Sequence, residues 1–205
     1  MEPTPAESAS SSAPSRRGRP RSQKARDAVL RATRELLLEV GPQAMTTDQI
    51  AGRSGVSKAT LYKWWPNKFA IAVEAFLREE TVVSPVPDTG SAREDYRIWL
   101  RNTVDLFAGP YGRVFAQLIG EGQANPKLRA ELRERLLAPR RRMTREIWDR
   151  AARRGELRAD VDFETAMDLM IGAVTNRLLL GYAPLDEKSA DAIVDTAMHG
   201  FLARS

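Results

Sequence analysis

Residues 46–76 read TTDQIAGRSGVSKATLYKWWPNKFAIAVEAF, and this stretch decides the fold. Thr46 stands three residues before Gln49, the spacing of a capping box, just ahead of Ile50 and Ala51. Gly55 follows Ser54 and can take the left-handed backbone that a tight turn between helices requires. Ser57 is placed to cap the next predicted helix, 58–65, which Pro66 closes. Asn67 then caps a further helix carrying Phe69, Ile71, Val73, Phe76 and Leu77 on its inner side. Two short helices across a glycine turn make 46–65 a candidate helix-turn-helix.

In such a motif the second helix reads base edges with its exposed face, while flanking groups hold phosphates and fix the register. Leu61 and Trp65 lie four apart and are expected to face inward, leaving Lys58, Ala59, Thr60, Lys63 and Trp64 for the outer face. Lys58 and Lys63 suit phosphates or guanine O6/N7, and Ala59 and Thr60 suit a thymine methyl. Thr47, Tyr62 and Lys68 are placed to bond phosphate oxygens from the flanks, Thr47 and Lys68 at helix N-termini where the dipole favours an anion. Trp64 either turns its ring to the DNA or packs on its neighbours.

Taken together, Thr46-Thr47, Ile50-Ala51, Gly55-Val56-Ser57, Thr60-Leu61-Tyr62 and Pro66-Asn67-Lys68 resemble the DNA-binding domain of the tetracycline-repressor (TetR) family of bacterial transcription regulators. The resemblance covers about residues 23–83. It implies phosphate contacts by Thr47, Tyr62 and Lys68, base contacts from 58–64, and a ligand-binding and dimerisation domain over 84–205. Trp64 departs from the pattern, since many members carry His or Tyr there, and its role is the least securely carried over.

The charge of the 205-residue chain agrees. Residues 16–68 hold twelve Lys/Arg against four acids, a net of +8, whereas 81–205 hold nineteen against eighteen, a net of +1. A basic segment of this kind is either a polyanion site or a solvated face. Residues 1–22 read as a disordered basic tail, in which Arg17 and Arg19 flank Gly18 ahead of Pro20. An extended Arg-Gly-Arg-Pro arm fits a narrow A·T minor groove, or is merely sticky. The chain has no cysteine, which removes disulfide scaffolds and thiolate metal sites, and with His199 as its single histidine a two-His metal site would have to borrow one from another chain. No metal and no cofactor are expected. Without an apolar run near the roughly 20 residues that cross a bilayer, a cytoplasmic protein with no membrane partner is expected.

Beyond a Pro/Gly-rich connection at 84–90, helices are predicted at about 91–108, 111–123, 126–153, 163–181 and 187–203, with Pro139 kinking or splitting the third. The fold class is all-α: an N-terminal three-helix helix-turn-helix domain followed by a helical domain. Phe163, Met167, Ile171 and Val174 form one apolar stripe, and Ile193, Val194, Ala197 and Phe201 another, both assigned to a homodimer interface. Trp99, Thr103, Phe107, Tyr111, Phe115, Met143, Trp148, Met167, Met170 and Asn176 are candidates for a mostly apolar effector pocket. Arg177, inside an apolar run, is expected to meet an acid or an anionic ligand. The basic run 132–142 is interleaved with acids at helical spacing and reads as a salt-bridged face. The expected partners are a double-stranded DNA operator, a small-molecule effector and a second copy of the chain. A non-specific DNA-packaging protein is the alternative. An enzyme with an acid-based site is a remoter one, since no phosphate loop, nucleophile–base pair or metal spacing is present in the sequence.

Overall fold

Val29, Leu30, Thr33, Leu36 and Leu37 recur at helical spacing, and in the computed structural model, which describes residues 19–79 and 86–201, they form the buried stripe of α1 (Arg19–Glu39). Gly41, at φ +77°, turns the chain into a short α2 (Gly41–Ala44) that opens on Pro42. Gly41-Pro42 thus ends α1 at Glu39 and opens an extra turn of helix in the same step. Then come α3 (Thr47–Ser54), α4 (Lys58–Trp64) and α5 (Lys68–Glu79), with α1 packed against α3 and α5. Arg53 of α3 forks onto both carboxylate oxygens of Glu39 (2.6 and 2.8 Å), fixing α3 to the end of α1.

The basic arm is shorter than expected. Arg17 lies outside the described residues. Arg19 opens α1, its side chain also outside them, so 19–22 is helical where a disordered tail was anticipated. Asp27 supplies the reason: Gln23 one turn earlier donates to it (2.9 Å), and Arg78 of α5 pairs with it (2.6 Å), so the front of α1 is held on both sides.

The second half comprises α6 (Ala92–Ala108), α7 (Pro110–Ala124), α8 (Pro126–Glu131), a π-helical segment (Leu132–Leu137), α9 (Ala138–Arg153), α10 (Phe163–Leu180) and α11 (Glu187–Phe201). Among the described residues there is no β-strand. The predicted helix 126–153 is divided, as Pro139 suggested, into α8, the π segment and α9, with Pro139 in the first turn of α9. The proline has no N–H to offer the Arg135 carbonyl four residues earlier, and the helix passes that point in π register. Gly112 lies where α7 crosses the end of α6; a Cβ there would stand 1.9 Å from the Phe107 carbonyl oxygen. α11 lies along α6, tied by Arg101 to Asp191 (2.7 and 2.6 Å) and by Arg97 to Asp195 (2.8 Å).

One apolar core runs through both halves. At the junction Gly41 of α2 faces Gln117 of α7, so closely that a Cβ would meet Oε1 at 2.9 Å. Phe76 of α5 stacks on Tyr111 of α7, ring centroids 3.9 Å apart, and Phe107 and Phe115 lie near-parallel beside them.

Candidate nucleic-acid interface

The helix-turn-helix is built from local bonds. Thr46 N–H donates to Gln49 Oε1 (2.8 Å) and Gln49 N–H returns a bond to Thr46 Oγ1 (3.2 Å), completing the capping box. Gly55 takes φ +69° with open space around it, so it is the backbone angle rather than crowding that calls for glycine. Ser57 Oγ accepts from Thr60 N–H (3.3 Å), and Asn67 Oδ1 from Ala70 N–H (2.9 Å). Ile50, Leu61 and Trp65 are buried beneath, so α4 has one inner face and one outer.

On the outer face Lys58, Ala59, Tyr62 and Lys63 are exposed. The Tyr62 hydroxyl, on a side chain 54% exposed, lies 3.3 Å from Thr47 Oγ1, so the two flanking groups meet at one point beside the helix. Thr60 is half-buried, its hydroxyl 3.0 Å from Ser57 Oγ at the start of the helix. Trp64 is partly buried and packs edge-on against Trp65, centroids 5.6 Å apart. Lys68 does not extend freely toward a phosphate: its Nζ donates to the carbonyls of Gln43 (2.8 Å) and Met45 (2.9 Å), one of an ammonium's three donors remaining.

Three participants escape a reading of α4 alone. Asp48 Oδ1 is 2.5 Å from Lys58 Nζ, and its hydrogen bond holds the ammonium above the usual lysine range. The Trp65 indole N–H donates to Glu74 of α5 (2.8 Å), and Arg135 of the π segment reaches the same carboxylate. A signal for Glu74 existed in the sequence: it is the lone acid within the apolar run 69–77.

Residues 29–75 match the bacterial regulatory proteins of the tetR family, and 86–197 match the tetracyclin repressor-like C-terminal domain. The chain belongs to the TetR family. It is 40% identical over 191 residues to the HTH-type transcriptional regulator YdeS of Bacillus subtilis (strain 168), covering 93% of this chain and 96% of that one. Its fold is similar to that of the TetR family transcription regulator SCO0332 at 36% identity and TM-score 0.74, over 86% of this chain and 98% of the other. The flavonoid-responsive regulator FrrA is 25% identical with TM-score 0.67, covering 89% and 100%. The protein is thus a helix-turn-helix transcription regulator, and regulators of this family bind DNA operators and small effectors and act as dimers.

For the TetR-type regulatory half, several sequence expectations need correcting. Phe163, Met167, Val174 and Val194, assigned to the dimer interface, are buried within the chain's own core. Ile171, Ile193 and Ala197 are partly exposed, and the side chain of Phe201 lies outside the described residues. Of the expected interface residues, Ile193 and Ala197 do line the outward face of α10 and α11, a 510 Å³ groove that also takes in Ala173 and Leu169, the latter 60% exposed.

The ten pocket candidates do not converge. Phe107, Phe115, Trp148, Met167 and Met170 are packed core. Trp99 and Met143 are partly exposed, Trp99 standing edge-on to Tyr96, and the Thr103 hydroxyl bonds the Trp99 carbonyl (2.9 Å). Asn176 faces solvent and donates to the Tyr182 hydroxyl (3.3 Å). Tyr111 is the candidate that does line a cavity, a 330 Å³ crevice between the two halves bounded by Arg34, Leu37, Leu38, Phe76, Pro110 and Val114. Its hydroxyl accepts from Arg140 (2.9 Å), whose burial lowers its pKa to about 10. Arg177 donates to the Pro184 carbonyl (3.1 Å) and lines the α10–α11 groove. Within the 132–142 run Arg135 pairs with Glu131 (3.4 Å), as the interleaved charges suggested.

Proposed function

We propose that the protein is a homodimeric repressor that holds a roughly palindromic operator and is released from it by a small, mostly apolar effector. The observation that carries this reading is the outer face of α4, where Lys58, Ala59, Tyr62 and Lys63 are exposed on a helix capped at its start and anchored beneath by Leu61 and Trp65. Lys58 to Trp64 supply the base-facing surface, and Thr47, Tyr62 and the remaining donor of Lys68 address phosphates on either side. Arg17 and Arg19 are proposed to reach the minor groove, Arg17 and the Arg19 side chain lying outside the described residues. The DNA-binding unit is taken as about 23–83 and the regulatory unit as 84–205; the family matches fall inside these bounds, at 29–75 and 86–197.

Dimerisation is assigned to the α10–α11 groove, whose apolar lining sits on the surface of a single chain. The effector is assigned to the crevice at Tyr111 and Phe76, since a ligand there parts α1 from α7 and so moves the DNA-binding half. The flavonoid response of FrrA supports a flat aromatic effector for such a lining. Release requires that the effector bind one arrangement better than the other; tight binding to both shifts nothing. Cytoplasmic location and the lack of a catalytic role belong to the same reading.

Selection of bound sequences from random duplex DNA at near-physiological salt tests the proposal. A single palindromic motif, bound at least about a thousandfold more tightly than random duplex, supports it. Recovery of nothing beyond an A·T bias refutes it in favour of packaging.

A further inference from the structure

Glu74 gathers donors from three parts of the molecule. Arg26 of α1 gives a fork, Nε to Oε1 and Nη2 to Oε2, both 3.0 Å. Trp65, which closes the recognition helix, gives its indole N–H (2.8 Å), and Arg135 of the π segment gives Nη2 (3.0 Å), both to Oε2. The Glu74 side chain is only 16% exposed. Burial raises its pKa, but the bonds from Trp65, Arg135 and Arg26 outweigh this and hold it below the usual glutamate value. The carboxylate is therefore a charged node inside the protein, and its donors are not interchangeable. Arg26 and Trp65 belong to the DNA-binding half, where Arg26 also stands over the Trp65 ring, 5.2 Å from its centroid. Arg135 alone comes from the regulatory half, and a second of its nitrogens reaches the Ala70 carbonyl of α5 (3.4 Å).

Trp65 is the lever at the other end. Its ring is buried, and its backbone N–H closes α4 on the Leu61 carbonyl (2.9 Å). Arg135 owes its direction to the winding of its own segment. The π register of Leu132–Leu137 and the ordinary α register carry side chains at different angles, since one residue of winding is about 100°. A return to α winding would swing Arg135 off Glu74.

We infer that Arg135 is a positioning residue for DNA binding: through Glu74 it fixes Trp65 and with it the orientation of the recognition helix, so that the winding of Leu132–Leu137 governs the fit to DNA. No residue of this relay touches DNA. Arg26 continues to hold Glu74 when Arg135 is lost, so the fold survives while the recognition helix loosens.

The test uses the full chain and the duplex that it selects from random DNA, with far-UV circular dichroism and thermal melting as measures of folding. R135M keeps the stem and removes the guanidinium, R135K keeps a charge able to reach one carboxylate oxygen, and W65F keeps a ring and removes the N–H. R135M and W65F are each expected to weaken binding about tenfold, R135K about threefold, and the double variant about tenfold, because both break one connection. A double variant weakened about a hundredfold makes the two sites independent and overturns the relay, as does R135M binding within about twofold of the unmodified chain. R135M is further expected to select the same half-site letters over a wider range of spacings; an unchanged spacing also overturns it. The spacing readout rests on the paired-operator reading, but the mutant cycle does not. A chain that selects single half-sites refutes the paired operator, and the cycle then decides the relay by itself.

Discussion

Asp48→Asn isolates how the recognition surface is charged before DNA arrives. Asp48 Oδ1 lies 2.5 Å from Lys58 Nζ, and both side chains are well exposed, at 74% and 48%. An ion pair so open to solvent contributes little to folding, so its effect falls on binding. One cation expected to face a phosphate is already neutralised. The substitution keeps the shape of the side chain and frees one positive charge per protomer. Each added phosphate contact steepens the log–log dependence of affinity on salt by about 0.9, hence by about 1.8 for a dimer. Over a fourfold rise in salt, from about 50 to about 200 mM, the variant loses about twelvefold more affinity than the unmodified chain. D48N therefore binds more tightly at low salt and surrenders that advantage as salt rises. Fluorescence anisotropy of a labelled duplex at four salt concentrations reads the slope. An unchanged slope, or weaker binding at low salt, refutes the idea that Asp48 masks Lys58.

Other perturbations address the scaffold. Gly112→Ala drives a Cβ to 1.9 Å from the Phe107 carbonyl, a backbone contact with no side chain to yield, and should cost about 3 kcal/mol by urea unfolding; a loss under about 0.5 kcal/mol contradicts the geometry. Leu169→Glu charges the outward groove without touching the chain's own core, and the variant should sediment as a monomer; a persistent dimer moves the interface elsewhere. The folded pKa of Glu74 lies below its ordinary 4.5, so its network stabilises the fold fully above that value and loses its contribution as pH falls through the lower one. The stability gap between the unmodified chain and E74Q should be widest near neutral pH and close in acid, and a gap that stays constant refutes the assignment.

What was legible in the sequence was local. Thr46 with Gln49, Gly55, Ser57 and Asn67 each act on backbone within a few residues, and all four do so in the structure as their spacing required. Phe163, Met167 and Val174 were placed on an outward stripe because α10 carries apolar residues on two sides: these three face the chain's own core while Leu169 faces out, and periodicity cannot rank two apolar sides. The pocket failed for another reason. Residue types name what can line a cavity, but a gap arises only where packed elements fail to meet, as between α1 and α7. Lys68 was read correctly as standing at a helix start, and missed as a group bound to carbonyls of another helix. Pro139 announced an irregularity, and its form, a π segment over Leu132–Leu137 just before the proline, is one that residue types alone do not specify.

The junction between the halves bears on modularity. Gly41 leaves room for Gln117, Phe76 stacks on Tyr111, and Glu74 receives Arg135, so three pairs straddle one seam with one partner on each side. A chimaera that joins this reading head to a relative's sensing body between α5 and α6 would separate all three pairs and cut the apolar core that the two halves share. Transplanting the head therefore demands that Gln117, Tyr111 and Arg135 travel with it, because the boundary of exchange is drawn by these contacts and not by the linker.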